Sequence, residues 1–181
     1  MPLTDIAALL VQHLLLITAV MLLLWLVALA LKDVSFIDGV WPLGMLMLAL
    51  VTWPRADGDT LRQALLVGLC AAWALRLGGH LLLRWRRHGA DRRYTAIIEG
   101  QARKGWSFGR TALLFVFLPQ GALAWLNSLP VQLGQVAAEP AVGAVAWAGV
   151  ALAVFGVVFE TVGDAQLDAF RRDPANRGRV L

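Results

Sequence analysis

The sequence predicts an all-α fold, a polytopic membrane helix bundle of five transmembrane helices. Three observations predict it. Residues of the AVILMFWYC set make up 59% of the 181 and charged residues only 15%, whereas about a quarter of an average soluble domain is charged. Mean hydropathy is +0.68. The charges are segregated between long apolar runs rather than spread among them. The single cysteine, Cys70, lies inside one of those runs, which excludes an intrachain disulfide and a thiolate metal site. A pI near 10.2 would suit a nucleic-acid binder, but the basic residues fall where membrane topology puts them. The expected surroundings are a lipid bilayer, with no nucleic-acid partner.

Crossing about 30 Å of hydrocarbon takes about 20 apolar residues in a helix. The first run, Ile6 to Leu31, is interrupted only by Gln12, His13 and Thr18. No Lys or Arg precedes Lys32, and the run is too long for the core of a secretory signal, so it reads as a retained helix. The second is short. Val40 to Trp53 is 14 residues, covering roughly 21 Å. Either the helix begins at Phe36 and carries Asp38 into the membrane, or the segment is re-entrant. The first is favoured, because Ser35 and Asp38 have the spacing of a capping box and Pro42 has no N–H for the Asp38 carbonyl. The third run is Leu61 to Leu83, the fourth Thr111 to Leu129 and the fifth Pro140 to Phe159. Together they predict one transmembrane domain, residues 1–181, with a basic loop at 84–110 and a basic tail at 161–181.

Thirteen of the sixteen Lys and Arg fall in that loop, that tail or at Lys32; Arg55 and Arg62 lie on the other side and Arg76 inside a helix. The asymmetry places the N-terminus outside and the C-terminus in the cytoplasm of a multi-pass plasma (inner) membrane protein, a parity that five crossings satisfy. Trp41, Trp53, Trp106 and Trp125 lie near segment ends, where indoles favour the headgroup layer. Ala141, Ala144, Ala148, Gly149 and Ala153 suit close packing of the fifth helix on another.

A charge within a membrane helix marks a functional candidate. Arg76, with His80 and Arg84 at four-residue steps, shares one helix face, and Asp38 is its expected partner. Packing as an ion pair, or snorkelling to the interface, is the alternative reading of Arg76; helix capping is the alternative for Asp38. Glu160, Asp164 and Asp168 form an acidic stripe followed by Arg171, Arg172, Arg177 and Arg179. The stripe suits either Asp168–Arg172 pairing with anionic lipid on the arginines, or carboxylates on ribose hydroxyls with arginines on phosphates. Tyr94, the only tyrosine, closes the run Asp91-Arg92-Arg93-Tyr94 and has a hydroxyl to donate to a substrate carbonyl. His13 and His88 read as structural or exposed. No Gly-rich phosphate loop, HExxH or metal-ligand spacing occurs.

Three stretches resemble bacterial relatives of the steroid 5-alpha-reductase superfamily, in a branch built around a domain of unknown function. They are Ser35 to Trp41, then Trp73 to Gly78 with Asp91 to Tyr94, and Phe159-Glu160 with Asp164, Gln166 and Phe170. The resemblance implies a seven-helix membrane fold, NADPH as cofactor, and reduction of a C=C bond conjugated to a carbonyl in a lipophilic small molecule. It implies cofactor binding by Glu160, Asp164, Arg171 and Arg179. It implies that Asp38, Trp73 and Arg76 face the substrate cavity; Arg76 and Asp38 are then the catalytic candidates, and Trp41, Trp73 and Tyr94 the substrate-binding ones. The steroid enzymes have a tyrosine near the position of Trp73. Their pattern continues into a further motif and two helices beyond the position of Leu181, so this chain corresponds to the N-terminal five helices and is expected to be incomplete or inactive alone. A non-catalytic module packing with partner helices is the alternative. An S-adenosylmethionine-dependent membrane methyltransferase is a third reading; a transporter is disfavoured, since no paired half-repeats are visible.

Overall fold

The computed structural model describes residues 1–176 and 178–180; Arg177, one of the tail arginines, lies outside the described residues. Those residues form helices and no strand. Five helices are long and apolar enough to cross a membrane: Leu3–Leu31, Ile37–Arg55, Thr60–His88, Phe108–Val136 and Ala144–Arg172. The protein is a polytopic helix bundle.

α1 (Leu3–Leu31) stops at Lys32, which takes a left-handed conformation with φ 53°. α2 (Ile37–Thr52) continues as a 3-10 turn, Trp53–Arg55, so the second apolar helix has 19 residues and carries Asp38 in its first turn. That length suits a full crossing, as the favoured reading expects, but the capping box does not form. Phe36 is the N-cap and no side chain caps it. A tight turn satisfies the first N–H groups instead, with Ile37 N donating to Val34 O and Gly39 N to Phe36 O. That releases Ser35 and Asp38 for contacts outside the helix.

α3 (Thr60–His88) is capped by Asp59, whose side chain accepts from Arg62 N, and ends at Gly89 with φ 72°. It runs one turn past Leu83. Arg86, Arg87 and His88 in its last turn complement the helix dipole. The basic loop expected at 84–110 is largely helical. It contains the end of α3 and a short helix, α4 (Arg92–Ala102), capped by Asp91 accepting from Arg93 N. α5 (Phe108–Ala112), capped by Ser107, passes through a π-helical turn, Leu113–Phe117, into α6 (Leu118–Val136). Pro119, which has no N–H for the Phe115 carbonyl, accompanies that irregularity. α7 (Ala144–Arg172) starts after Gly143 rather than at Pro140 and continues beyond Phe159, so Glu160, Asp164 and Asp168 are helical.

The chain divides into two compact units, Met1–Ala141 and Val142–Leu181. In the first, α2 packs on α3 and α6, and α1 packs on α6. Ile17, Met21, Ile37, Leu48 and Phe117 form its core. Leu15, Leu23 and Leu75, each more than 60% exposed, suit hydrocarbon rather than water as the surrounding medium. The second unit holds α7 and a 3-10 turn, Pro174–Asn176.

A buried polar chain ties α1 to α6 toward the end of the bundle opposite α4. His13 Nδ1 lies 2.6 Å from Gln132 Oε1, Gln132 Nε2 donates to Ser128 Oγ, and Ser128 Oγ donates to Trp125 O. Because the Gln132 amide nitrogen is committed to Ser128, its oxygen accepts and His13 Nδ1 donates. Trp125 Nε1 donates to Leu10 O, so this indole fastens two helices. Gln132→Leu is expected to destabilise the protein by about 1–2 kcal/mol, because it leaves the imidazole N–H buried and unmatched. Adding His13→Leu restores part of the loss, since both partners are then apolar. Unfolding midpoints of the single and double variants in detergent check this; a double variant weaker than Gln132→Leu refutes it.

Candidate functional site

The basic end of the first unit carries a connected polar cluster under an aromatic pair. Asp38, one residue before the Gly39 contact between α2 and α3, is its centre. Its Oδ1 accepts from the Tyr94 hydroxyl at 2.5 Å and its Oδ2 accepts from Arg93 Nη2 at 2.6 Å. Arg93 also donates to Asp91, with Nη2–Oδ2 at 3.0 Å. From α6, Gln120 Nε2 donates to the Tyr94 oxygen at 3.1 Å. The Gln120 carbonyl in turn accepts from Trp41 Nε1 at 3.1 Å, and Trp41 meets Trp73 edge-on at 6.3 Å between ring centres.

A second layer fixes α4 in place. Asp33 accepts from Trp85 Nε1 at 2.7 Å and from Ser35 N at 2.8 Å. Ser35 Oγ accepts from Asp91 N at 2.8 Å, and Arg84 lies 3.8 Å from Asp91. Phe36 packs between Trp85 and Phe117. The connection from α1 to α2 thus reads directly onto the cap of α4.

Burial, then the hydrogen bond to Asp38, pushes the Tyr94 phenol well above its ordinary range, so it is neutral at pH 7. The hydrogen bond from Arg93 is the main cause holding Asp91 below the usual carboxylate range, while Asp91 and Asp38 raise Arg93. Burial raises Asp33, but the bonds from Trp85 and Ser35 outweigh it and hold this carboxyl low. Depressed carboxyls stabilise the fold in their ionised form. Their contribution is therefore whole above the ordinary value of 3.8 and is lost as pH falls through the lower folded values. The basic end is expected to loosen below about pH 4. The measurement is the fluorescence difference between the protein and its Trp85→Phe form during acid titration; a difference constant down to pH 2 refutes it.

Of the residues that the sequence put forward, Asp38, Trp41, Trp73 and Tyr94 come together here. Asp38 accepts from Arg93 and Tyr94, two partners that the sequence reading did not name for it. Gly78 on α3 approaches the Gly39 carbonyl of α2. Sequence reasoning missed Gln120, Arg93 as a ligand of Asp38, and the supporting Asp33, Ser35 and Trp85. A glutamine in an apolar helix was the available signal for Gln120.

The remaining candidates belong to the second unit. Glu160, Asp164 and Arg171 lie at i, i+4 and i+11 of α7, on one face and spread over roughly 16 Å. Arg171, Arg172, Asn176 and Arg179, with Phe170 and Asp173, line a cleft of about 320 Å³. Asn176 Nδ2 donates to Phe170 O at 3.1 Å and folds the chain back on the helix end. Guanidinium groups around a cleft of this size suit a phosphate-bearing group rather than a metal.

Residues 24–181 match the model of a family described as a protein of unknown function, DUF1295. The chain belongs to this family. No curated protein and no solved structure matches it. The DUF1295 match begins at Leu24, within α1, and takes in every residue of the Asp38 cluster and of the arginine cleft. His13 lies outside it.

Proposed function

We propose that this DUF1295 protein is a membrane reductase of the steroid 5-alpha-reductase type. It would reduce a C=C bond conjugated to a carbonyl in a lipophilic small molecule, using NADPH. The observation that carries the reading is the neutral Tyr94 hydroxyl, held between Asp38 and Gln120 beside the Trp41–Trp73 pair. A buried, oriented hydroxyl of this kind is the group that stabilises charge developing on a carbonyl oxygen. The indole pair gives an apolar wall for the carbon skeleton.

NADPH, when bound, supplies a hydride to the β-carbon of the enone. The chain's residues handle binding and the proton. Arg171 and Arg179 take phosphate oxygens, while Glu160 and Asp164 take hydroxyl groups further along α7. As electrons move onto the substrate oxygen, the Tyr94 O–H turns from Asp38 Oδ1 to that oxygen while Arg93 keeps Asp38 partnered, and the enolate so held takes its α-carbon proton from water. Arg76 supplies a permanent charge on its own face of α3. The chain's setting is a plasma (inner) membrane with the basic end in the cytoplasm, supported by the thirteen basic residues on that side.

The test is NADPH fluorescence in nanodiscs, for this chain and for a form extended by the last two helices of a relative. Binding is expected to weaken at least tenfold in Arg171→Ala with Arg179→Ala. No binding by either form at saturating NADPH ends the reductase reading and leaves the helix-packing module.

A further inference from the structure

The Tyr94 oxygen has one proton to give and two lone pairs to receive. The proton goes to Asp38 and one lone pair receives the Gln120 amide. We infer that Gln120 is a positioning residue: by filling one lone pair of the Tyr94 oxygen it fixes which way the hydroxyl proton points. With that bond made, the hydroxyl has one direction to Asp38 and one remaining lone pair. A ligand carbonyl receives the proton only in exchange for Asp38, whereas a ligand N–H or O–H meets the free lone pair directly.

Three features place Gln120 for this task. Its backbone carbonyl is held by Trp41 Nε1, so the indole that walls the site also anchors the residue orienting its hydroxyl. Pro119 precedes it, and the π-helical turn Leu113–Phe117 lies just upstream. One extra residue in a helical turn rotates everything after it by roughly 100° relative to an unbroken α-helix. That rotation brings residue 120 toward α4 and Tyr94. An unbroken 3.6-residue pattern assigns this position to another face, which is why periodicity alone does not find it. The charged neighbours of the hydroxyl are Asp38 on α2 and Arg93 on α4, and Gln120 is the neutral member that leaves their balance unchanged.

Because Tyr94 is the only tyrosine, a fluorinated tyrosine incorporated throughout the protein reports this one phenol. The experiment is a 19F NMR pH titration of the full chain in nanodiscs, using a fluorotyrosine acidic enough to titrate within the stable range. Gln120→Met removes the amide at nearly constant volume and Gln120→Leu removes it with a second neutral side chain. Loss of the donor deprives the phenolate of a stabilising bond, so both variants are expected to titrate at higher pH than the parent. A purely structural role predicts the opposite, since loosening would hydrate the phenol and bring it down toward its ordinary value. Asp38→Asn is the calibration and should titrate lower. Titration of either folded Gln120 variant at or below the parent's pH overturns the inference. Its bearing on catalysis rests on the reductase reading, but the titration needs neither NADPH nor substrate, so the two fail separately.

Discussion

Gly78→Val is expected to lower stability by about 3 kcal/mol, the upper end of what overpacking costs. A Cβ at Gly78 would stand 2.8 Å from the Gly39 carbonyl oxygen and 3.3 Å from Leu43 Cγ. The same contact is tight from the other side, where a Cβ at Gly39 would meet Leu82 Cγ at 2.6 Å and Leu82 N at 2.9 Å. Backbone atoms cannot step aside as a flexible side chain can, so the two helices must separate. Separation moves Asp38, the neighbour of Gly39, away from Tyr94 and Arg93. The consequence therefore reaches the site as well as the bundle. Gly68→Val is the control: a Cβ there meets no atom within 4 Å, and the change should stay within about 0.5 kcal/mol. Detergent unfolding followed by tryptophan fluorescence separates the two. Equal midpoints for both variants would show that the close approach of α2 and α3 is wrong.

The second large effect concerns chemistry. Tyr94→Phe keeps the ring that packs in the α1–α2–α6 core and removes only the hydroxyl. On the proposed reductase reading, hydride transfer to a lipophilic enone should slow about 100-fold, the cost of removing one preorganised donor to a developing oxyanion. NADPH affinity should be unchanged, because the arginine cleft is built from other residues. A fall in kcat without a rise in the Kd for NADPH identifies a transition-state contact. Single-turnover oxidation of NADPH in nanodiscs measures it. An unchanged rate would remove Tyr94 from the reaction and leave its bond to Asp38 a fastening of α4.

The two predictions draw on different amounts of sequence information. Tyr94 and Asp38 were visible as single residues, an isolated tyrosine after an Asp-Arg-Arg run and a carboxylate at the start of an apolar helix. That they touch was not visible. They are separated by 56 positions and joined through a short helix that reads, by composition, as part of a basic loop. The Ser35–Asp38 spacing suggested a cap because capping boxes are local. The backbone turn at Val34–Phe36 met those N–H groups instead, and the side chains went to longer-range partners.

By itself the sequence determined the medium and the count: hydrophobic runs of spanning length, separated by charge, leave no stable arrangement for the backbone but helices across a bilayer. It also determined that the basic residues cluster in the 84–110 loop and in the tail. Only the tertiary structure decided which polar residues meet. Helix rotation, the π-helical turn before Gln120 and the glycine contact of α2 with α3 each act at the scale of a single side chain. Hydropathy averages over many residues and cannot register a rotation of that size. For this reason the meeting of Asp38 with Tyr94 and Arg93 could not be read from the sequence, and Gln120 enters the site with no motif to announce it.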